Sequence, residues 1–299
     1  MILLTGASGF IGGHLLNFLI DVYGSEHIVV LTSKPTTKCQ YLLHNGYTFD
    51  DDLFIKNGYG NIETIIHAGA FTPKSSIDSN NIIGCYGNIK NTTKLLTSRL
   101  KKIKKFVYLS SLDVYDYSNT IEEYTLLNPE SLYGHSKLYC EKLVKIWADE
   151  KIINHQILRI GHIYGPGEEE YQKLIPNTIR DVINNIDPVV FNGGIDLRSY
   201  IHVSDCCRLI IRAIELSQDV GPINIASDQS MCINDIVKLI IRISNKDLEI
   251  KYKEGNIISR NVTFNNAKMN KFLGVELISI DQGLLEEYDL MKKKLPIIK

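Results

Sequence analysis

Apolar residues in the first half of the chain fall into short, largely β-branched runs separated by stretches of helical spacing. The runs predict strands at Ile2–Leu4, Ile28–Leu31, Thr64–His67, Phe106–Ser110 and Gln156–Ile160. Helices are predicted near residues 12–22, 82–100 and 134–150. This alternation predicts an α/β fold, a doubly wound parallel sheet with right-handed crossovers. Residues 82, 86, 89, 96 and 100 form one helical stripe, and Leu138, Val144 and Trp147 sit on the next helix; sheet packing is the expected use of both.

Beyond residue 165 the pattern loosens. Gly165-Pro166-Gly167 breaks the chain, the acidic run Glu168–Glu170 follows, and Asn192-Gly193-Gly194 marks another turn. Tyr200–Val203 reads as a strand returning to the sheet, with helices at 205–216, 233–244 and 281–292. The expected organisation is a Rossmann-type doubly wound α/β domain over 1–165 plus roughly 195–217. A smaller interleaved substrate lobe over 166–194 and 218–299 would cover the strand ends.

Composition narrows the partners. The 299 residues are 44% hydrophobic and 22% charged, ample for a core, and the net charge of −1 offers nothing to nucleic acid or an anionic membrane. The lysines within 101–105 and 292–294 read as solvated helix ends, and no apolar run approaches the length of a membrane span. The 6 cysteines form no CxxC pair, which fits free thiols in a reducing cytoplasm, and no metal is expected.

Chemistry begins at the first strand, which runs directly into glycines at 6, 9 and 12. Gly6 permits positive φ at the turn. Gly9 removes a side chain between a pyrophosphate and a helix N-terminus, and Gly12 lets helix and strand pack closely. Farther along, Tyr133-Gly-His-Ser-Lys137 places a phenol and an ammonium one helical turn apart, where the cation would lower the phenol's pKa. Tyr86/Lys90 and Tyr288/Lys292 share that spacing, but only Tyr133 follows a strand ending in hydroxyls, Leu109-Ser110-Ser111. Position therefore selects Tyr133.

Taken together, these segments resemble the extended short-chain dehydrogenase/reductases of the nucleotide-sugar epimerase, dehydratase and reductase kind, over nearly the whole length. TGASGFIG at 5–12 resembles the cofactor turn, IIHAGA at 65–70 the strand beneath ribose and pyrophosphate, and NIKNTTKLL the segment carrying Asn88. FVYLSSLDVY at 106–115 resembles the segment with the active-site hydroxyl, here Ser111, and NPESLYGHSK at 128–137 the catalytic tyrosine–lysine segment. LRIGHIYGPG at 158–167 resembles the interdomain link, and RSYIHVSD at 198–205 the segment whose arginine meets a nucleotide diphosphate. The resemblance implies Ser111, Tyr133 and Lys137 as catalytic residues. It implies cofactor contacts from Gly6, Ser8, Gly9, Phe10, Ile11, Gly12, Ala68, Gly69, Ala70, Asn88, Leu109, Tyr133, Lys137, Ile160 and Ile163. Substrate contacts are expected from Thr72, Ser111, Leu112, Asp113, His162 and Arg198, and also from Arg260, a lone arginine before a loop. An ion pair of Arg198 with Asp196 or Asp205, fixing a turn, is the competing use.

Two departures from the family bear on the reaction. His162 replaces the usual asparagine, and Leu112 with Asp113 replaces the acidic pair of sugar 4,6-dehydratases, so water elimination lacks one of its acid–base groups. No carboxylate follows the second strand; Thr32, Ser33 and Lys34 stand there instead, which favours the 2′-phosphate of NADPH over NAD. Among Asp50–Asp52, Asp52 before Leu53 is expected to meet the adenine.

The expected function is therefore NADPH-dependent reduction of a nucleotide-linked 6-deoxyhexos-4-ulose at C4, giving a deoxysugar donor for surface polysaccharide. The alternatives are an NAD-dependent nucleotide-sugar 4-epimerase and a non-catalytic dinucleotide-binding protein. A homodimer through helices 82–100 and 134–150 is expected, with Trp147 near the interface.

Overall fold

The computed structural model describes residues 1–75, 77–255 and 261–294. In chain order the first half holds β1 (Ile2–Thr5), α1 (Phe10–Tyr23), β2 (Ile28–Thr32), β3 (Gln40–Leu43), α2 (Leu53–Lys56), β4 (Thr64–His67), α3 (Ile82–Leu96), β5 (Lys105–Ser111), β6 (Thr120–Ile121) and α4 (Leu132–Lys151). The second half holds β7 (Asn154–Ile160), β8 (His162–Tyr164), α5 (Leu174–Ile183), β9 (Val189–Phe191), β10 (Leu197–His202), α6 (Val203–Glu215), β11 (Ile223–Ile225), β12 (Ser230–Cys232), α7 (Ile233–Ser244), β13 (Lys251–Lys253), β14 (Thr263–Phe264), α8 (Ala267–Leu273) and α9 (Ile280–Lys294).

Seven strands form one parallel sheet in the order β11-β7-β5-β4-β1-β2-β3. β1 (ILLT) and β2 (IVVLT) are buried along their whole length because both faces of the sheet are covered. Alternate residues feed two cores. Ile2, Leu4, Val30 and Ile66 meet Leu15 and Leu19 of α1 and Leu209 and Ile210 of α6, while Leu3, Val29, Leu31 and Ile65 meet Leu95 of α3 and Val144 of α4. A third core joins α5, α7 and α9 through Ile179, Ile240 and Leu284. The sheet predicted from the alternation is present as a seven-stranded Rossmann sheet.

Several expectations change. The strand at 200–203 does not return to the central sheet: β10 pairs parallel with β8 and antiparallel with β12 in a separate sheet. The central sheet's edge is taken by β11 instead, with Ile223 beside Leu158, although residues 218–299 were expected wholly in the small lobe. Helix α3 stops at Leu96, and the N-terminal part of its apolar stripe faces outward, Ile82 being 73% and Tyr86 64% exposed. Its buried side presents Cys85, Asn88, Thr92 and Leu95. Lys105 is not solvated: at 6% exposure its Nζ donates to the Leu216 carbonyl at 2.8 Å, and burial pushes its pKa down to about 8. Lys292–Lys294 are exposed.

Candidate active site

The carboxyl ends of β1, β4 and β5 meet above the first turn of α1, where a parallel sheet of this order binds ligands. Gly6 has φ +77°, and a Cβ there would come within 2.6 Å of the Gly69 amide. A Cβ on Gly12 would lie 2.0 Å from the Gly6 carbonyl, so only glycine lets α1 seat on β1. A Cβ on Gly9 would meet a single protein atom, the Gly6 carbonyl oxygen at 3.4 Å; otherwise Gly9 faces a cleft. No side chain caps α1. An uncapped helix start behind a missing side chain fits a dinucleotide pyrophosphate.

That cleft, of about 350 Å³, is lined by Ser8, Gly9, Phe10, His14, Asn17 and Lys38, with Gly167, Glu170 and Tyr171 across from them. His14 Nε2 lies 2.7 Å from the Pro166 carbonyl, tying the turn at 165–167 to α1. Ile11 is half-buried and packs on the core. Lys38, which the sequence reading missed, donates to Asn17 Oδ1 at 2.7 Å. Of the residues expected for a phosphate, Ser33 and Lys34 are exposed, whereas Thr32 is buried and its Oγ1 accepts from the Lys34 amide at 3.2 Å.

Asp52 does not face the cleft: it pairs with Arg99 at 3.2 Å, while Asp50 pairs with Lys56 and Asp51 with Lys94. Leu53 packs in the core. The residue brought close to Gly69 is Tyr47, which holds φ +55° and is 5% exposed, with its hydroxyl filling the place a Gly69 side chain would need. The Asn45-Gly46 dipeptide just before it was the available signal.

Below, His67 is buried between Thr5 Oγ1 at 2.7 Å and Thr92 Oγ1 at 3.1 Å, and burial, with the Lys137 charge, pushes its pKa down to about 3. Thr5 also accepts from the Gly69 amide at 2.9 Å, which fixes the Ala68-Gly69-Ala70 turn. Asn88 works indirectly. Its amide bonds both backbone groups of Phe71 and the Ser136 hydroxyl, so it clamps the loop to α4 and its polar atoms are engaged there, not as a direct contact.

Ser111, Tyr133 and Lys137 come together at the end of β5 and the start of α4, all buried. Ser131 caps α4 through the Gly134 amide, setting the first turn that carries Tyr133. The Tyr133 phenol lies near the Thr72 and Ser111 hydroxyls, which act to lower its pKa. Ser111 Oγ also accepts from the Asp113 amide at 3.2 Å. Lys137 Nζ donates to the Leu109 carbonyl at 2.8 Å and lies 5.9 Å from the Tyr133 ring centre. The lysine does not lower the tyrosine as expected. Burial and then the Asp113 carboxylate push Tyr133 well above the ordinary phenol value, while burial pushes Lys137 down to about 8. Burial likewise raises Asp113, against the nearby Ser111 hydroxyl and the Lys137 charge.

A second pocket of about 210 Å³ lies between β8, β10 and the start of α5, lined by His162, Ile163, Glu168, Lys173, Ile175 and Tyr200. His162 opens into it, and the surrounding protein with the Lys173 and Arg198 charges holds the ring neutral. Arg198 Nη2 bonds Asp196 Oδ2 at 3.3 Å and Nη1 the Leu197 carbonyl at 2.9 Å. Asp205 is engaged elsewhere, by Arg208 and the Ile278 amide. Ile160 is a core residue, Leu112 packs beside Val114, and Arg260 lies outside the described residues. Among the described residues no group of histidine, cysteine or acidic side chains could hold a metal, and no helix is long and apolar enough to cross a membrane.

Known proteins share this fold. The chain is 29% identical over 274 residues to dTDP-D-glucose 4,6-dehydratase of Dictyostelium discoideum, an alignment covering 81% of this chain and 62% of that protein. It is 27% identical to a putative UDP-glucose 4-epimerase of Methanocaldococcus jannaschii, covering 86% and 88% of the two chains. The fold matches that of UDP-glucuronic acid 4-epimerase from Bacillus cereus, solved with NAD, at a TM-score of 0.83 and 24% identity over 98% of this chain and 99% of that one. The model of the NAD dependent epimerase/dehydratase family matches residues 2–226, and the chain belongs to that family.

Proposed function

We propose that the protein is a dinucleotide-dependent oxidoreductase acting at C4 of a nucleotide-linked sugar, and that its net reaction is NADPH-dependent reduction of a 6-deoxyhexos-4-ulose. The dinucleotide supplies the hydride. Tyr133 donates the proton to the C4 oxygen, Ser111 bonds that oxygen, and Lys137 holds the ribose. The raised pKa of Tyr133 keeps it a phenol, the form a reduction requires of its acid. The carrying observation is the end of β2, where Ser33 and Lys34 replace any carboxylate, with Lys38 on the cleft wall and Asp50, Asp51 and Asp52 each engaged with a cation. This set suits a 2′-phosphate.

The second reading is an NAD-dependent 4-epimerase with the same triad, favoured by the names of the relatives. Absorbance at about 340 nm separates the two, because only hydride transfer to substrate without return consumes NADPH. Net consumption with a nucleotide-linked 4-ketosugar supports the reductase; turnover without net change, or NAD⁺ retained through purification, supports the epimerase. Lys34→Ala or Lys38→Ala should weaken NADPH by roughly ten- to a hundredfold and leave NADH nearly unchanged, the scale of one charge-assisted phosphate contact.

A homodimer is part of the proposal. Ile82, Ile83 and Tyr86 of α3 and Leu132, Tyr139 and Ile146 of α4 are exposed, and α3 packs against α4. Trp147 instead packs on Phe106, their ring centres 5.4 Å apart. Light scattering at micromolar concentration that gives a monomer would reject the dimer.

A further inference from the structure

One helical turn after Lys137, the Glu141 carboxylate is buried between α4 and the sheet. Its Oε1 accepts from the Ser110 hydroxyl at 2.5 Å and from Arg159 Nε at 3.0 Å, and its Oε2 accepts from Arg159 Nη2 at 2.8 Å. Arg159 of β7 sends Nη1 to the Tyr115 hydroxyl at 2.7 Å, and Tyr115 donates in turn to Asn224 Oδ1 of β11 at 2.7 Å. One carboxylate thus links β5, α4 and β7. Ser110 immediately precedes Ser111, and Glu141 follows Lys137 on the same helical face.

Stability does not require such a pair, since apolar residues of similar volume commonly replace a buried ion pair without loss. Its location is more telling. Lys137 is faced by Tyr133, Cys140 and Glu141 from α4, by Tyr108 from β5, by Asp113 from the turn after β5, and by His67 from β4. Of these, Cys140, Glu141 and Asp113 oppose the loss of the lysine's charge, and Arg159 supplies the charge that compensates Glu141.

We propose that Glu141 and Arg159 are positioning residues for the triad, fixing Ser111 against Lys137 and keeping Lys137 cationic toward the ribose of a bound dinucleotide. The proposal rests on the cofactor reading above. The test is fluorescence titration of NADPH and of NADH between about pH 6 and about pH 10, with melting temperatures alongside. Wild-type affinity should fall as pH rises through the Lys137 value of about 8, because the cation is the binding form. In Glu141→Gln/Arg159→Met, where glutamine can still bond Ser110, the midpoint should drop by roughly half a pH unit or more, and Lys137→Met should abolish the titration. Glu141→Asp keeps the charge and should retain the wild-type midpoint, while Glu141→Gln alone lowers it. An unmoved midpoint in a double variant that melts like wild type, equal midpoints for Glu141→Asp and Glu141→Gln, or a titration surviving in Lys137→Met would overturn the proposal. Wild type binding neither dinucleotide would overturn the cofactor reading and this proposal with it; binding with an unmoved midpoint overturns the proposal alone.

Discussion

Glu141 of α4, beside the carboxyl end of the sheet, and Glu287 of α9 are both buried glutamates, yet their surroundings differ in kind. Glu141 has a bidentate guanidinium and a hydroxyl. Glu287, on α9, approaches the Gly165 amide, but neither of its oxygens makes a hydrogen bond of ordinary geometry. Burial pushes it up to about 9, and Glu168 and Glu169 push the same way. Tyr164, His202 and Tyr288 also bury polar atoms that make no hydrogen bond in this region, although His202 Nε2 lies 3.8 Å from the Glu286 carboxylate. A buried carboxyl with a matched partner can carry charge, whereas one without stays protonated. The polar groups at the sheet end are matched to one another, whereas burial of Glu287 on α9 favours its protonated carboxyl.

The largest expected effect breaks the comparison on the sheet side. Arg159→Met alone leaves Glu141 uncompensated and should cost about 3–5 kcal/mol in denaturant unfolding. A cost below about 1 kcal/mol would mean that the pair is no more demanding than a surface contact.

On the other side, the Glu287 pKa is raised on folding, so its contribution to stability is full below the unfolded value of about 4.5 and is lost as pH rises toward about 9. The loss is at most about 1.4 kcal/mol per pH unit. Glu287→Gln should therefore flatten melting temperature against pH over that window and gain on wild type as pH rises. Parallel curves would show that Glu287 does not titrate there.

A smaller effect at a site outside both regions calibrates the scale. Ile152 ends α4 with φ +56° and is 95% exposed, a left-handed position costly for a β-branched side chain. Ile152→Gly should stabilise by about 0.5–1 kcal/mol once glycine's extra freedom in the unfolded chain is subtracted. Destabilisation would show that the side chain makes a contact that offsets the strain.

The sequence showed what is local or periodic. Successive β-branched runs revealed the parallel sheet, and spacing revealed the glycine turn and the Tyr133/Lys137 pair. Three residues, Ile223-Asn224-Ile225, are too few to reveal a strand that closes the sheet from a distant part of the chain. Lys38 reaches the cleft, and Arg159 reaches Glu141, only after tertiary folding, so neither has a spacing that announces it. The α3 stripe misled for another reason: its N-terminal residues Ile82 and Tyr86 face outward, and the buried side includes Asn88 and Thr92, which bond the loop after β4 and His67.

Tyr133 as the proton donor is the centre of the account, and Tyr133→Phe tests it most directly. With the 4-ketosugar nucleotide identified by NADPH consumption, the variant should bind the dinucleotide within a few-fold of wild type and lose roughly two to four orders of magnitude in turnover. Turnover within a few-fold of wild type, or an equal loss in Tyr86→Phe, would contradict the assignment.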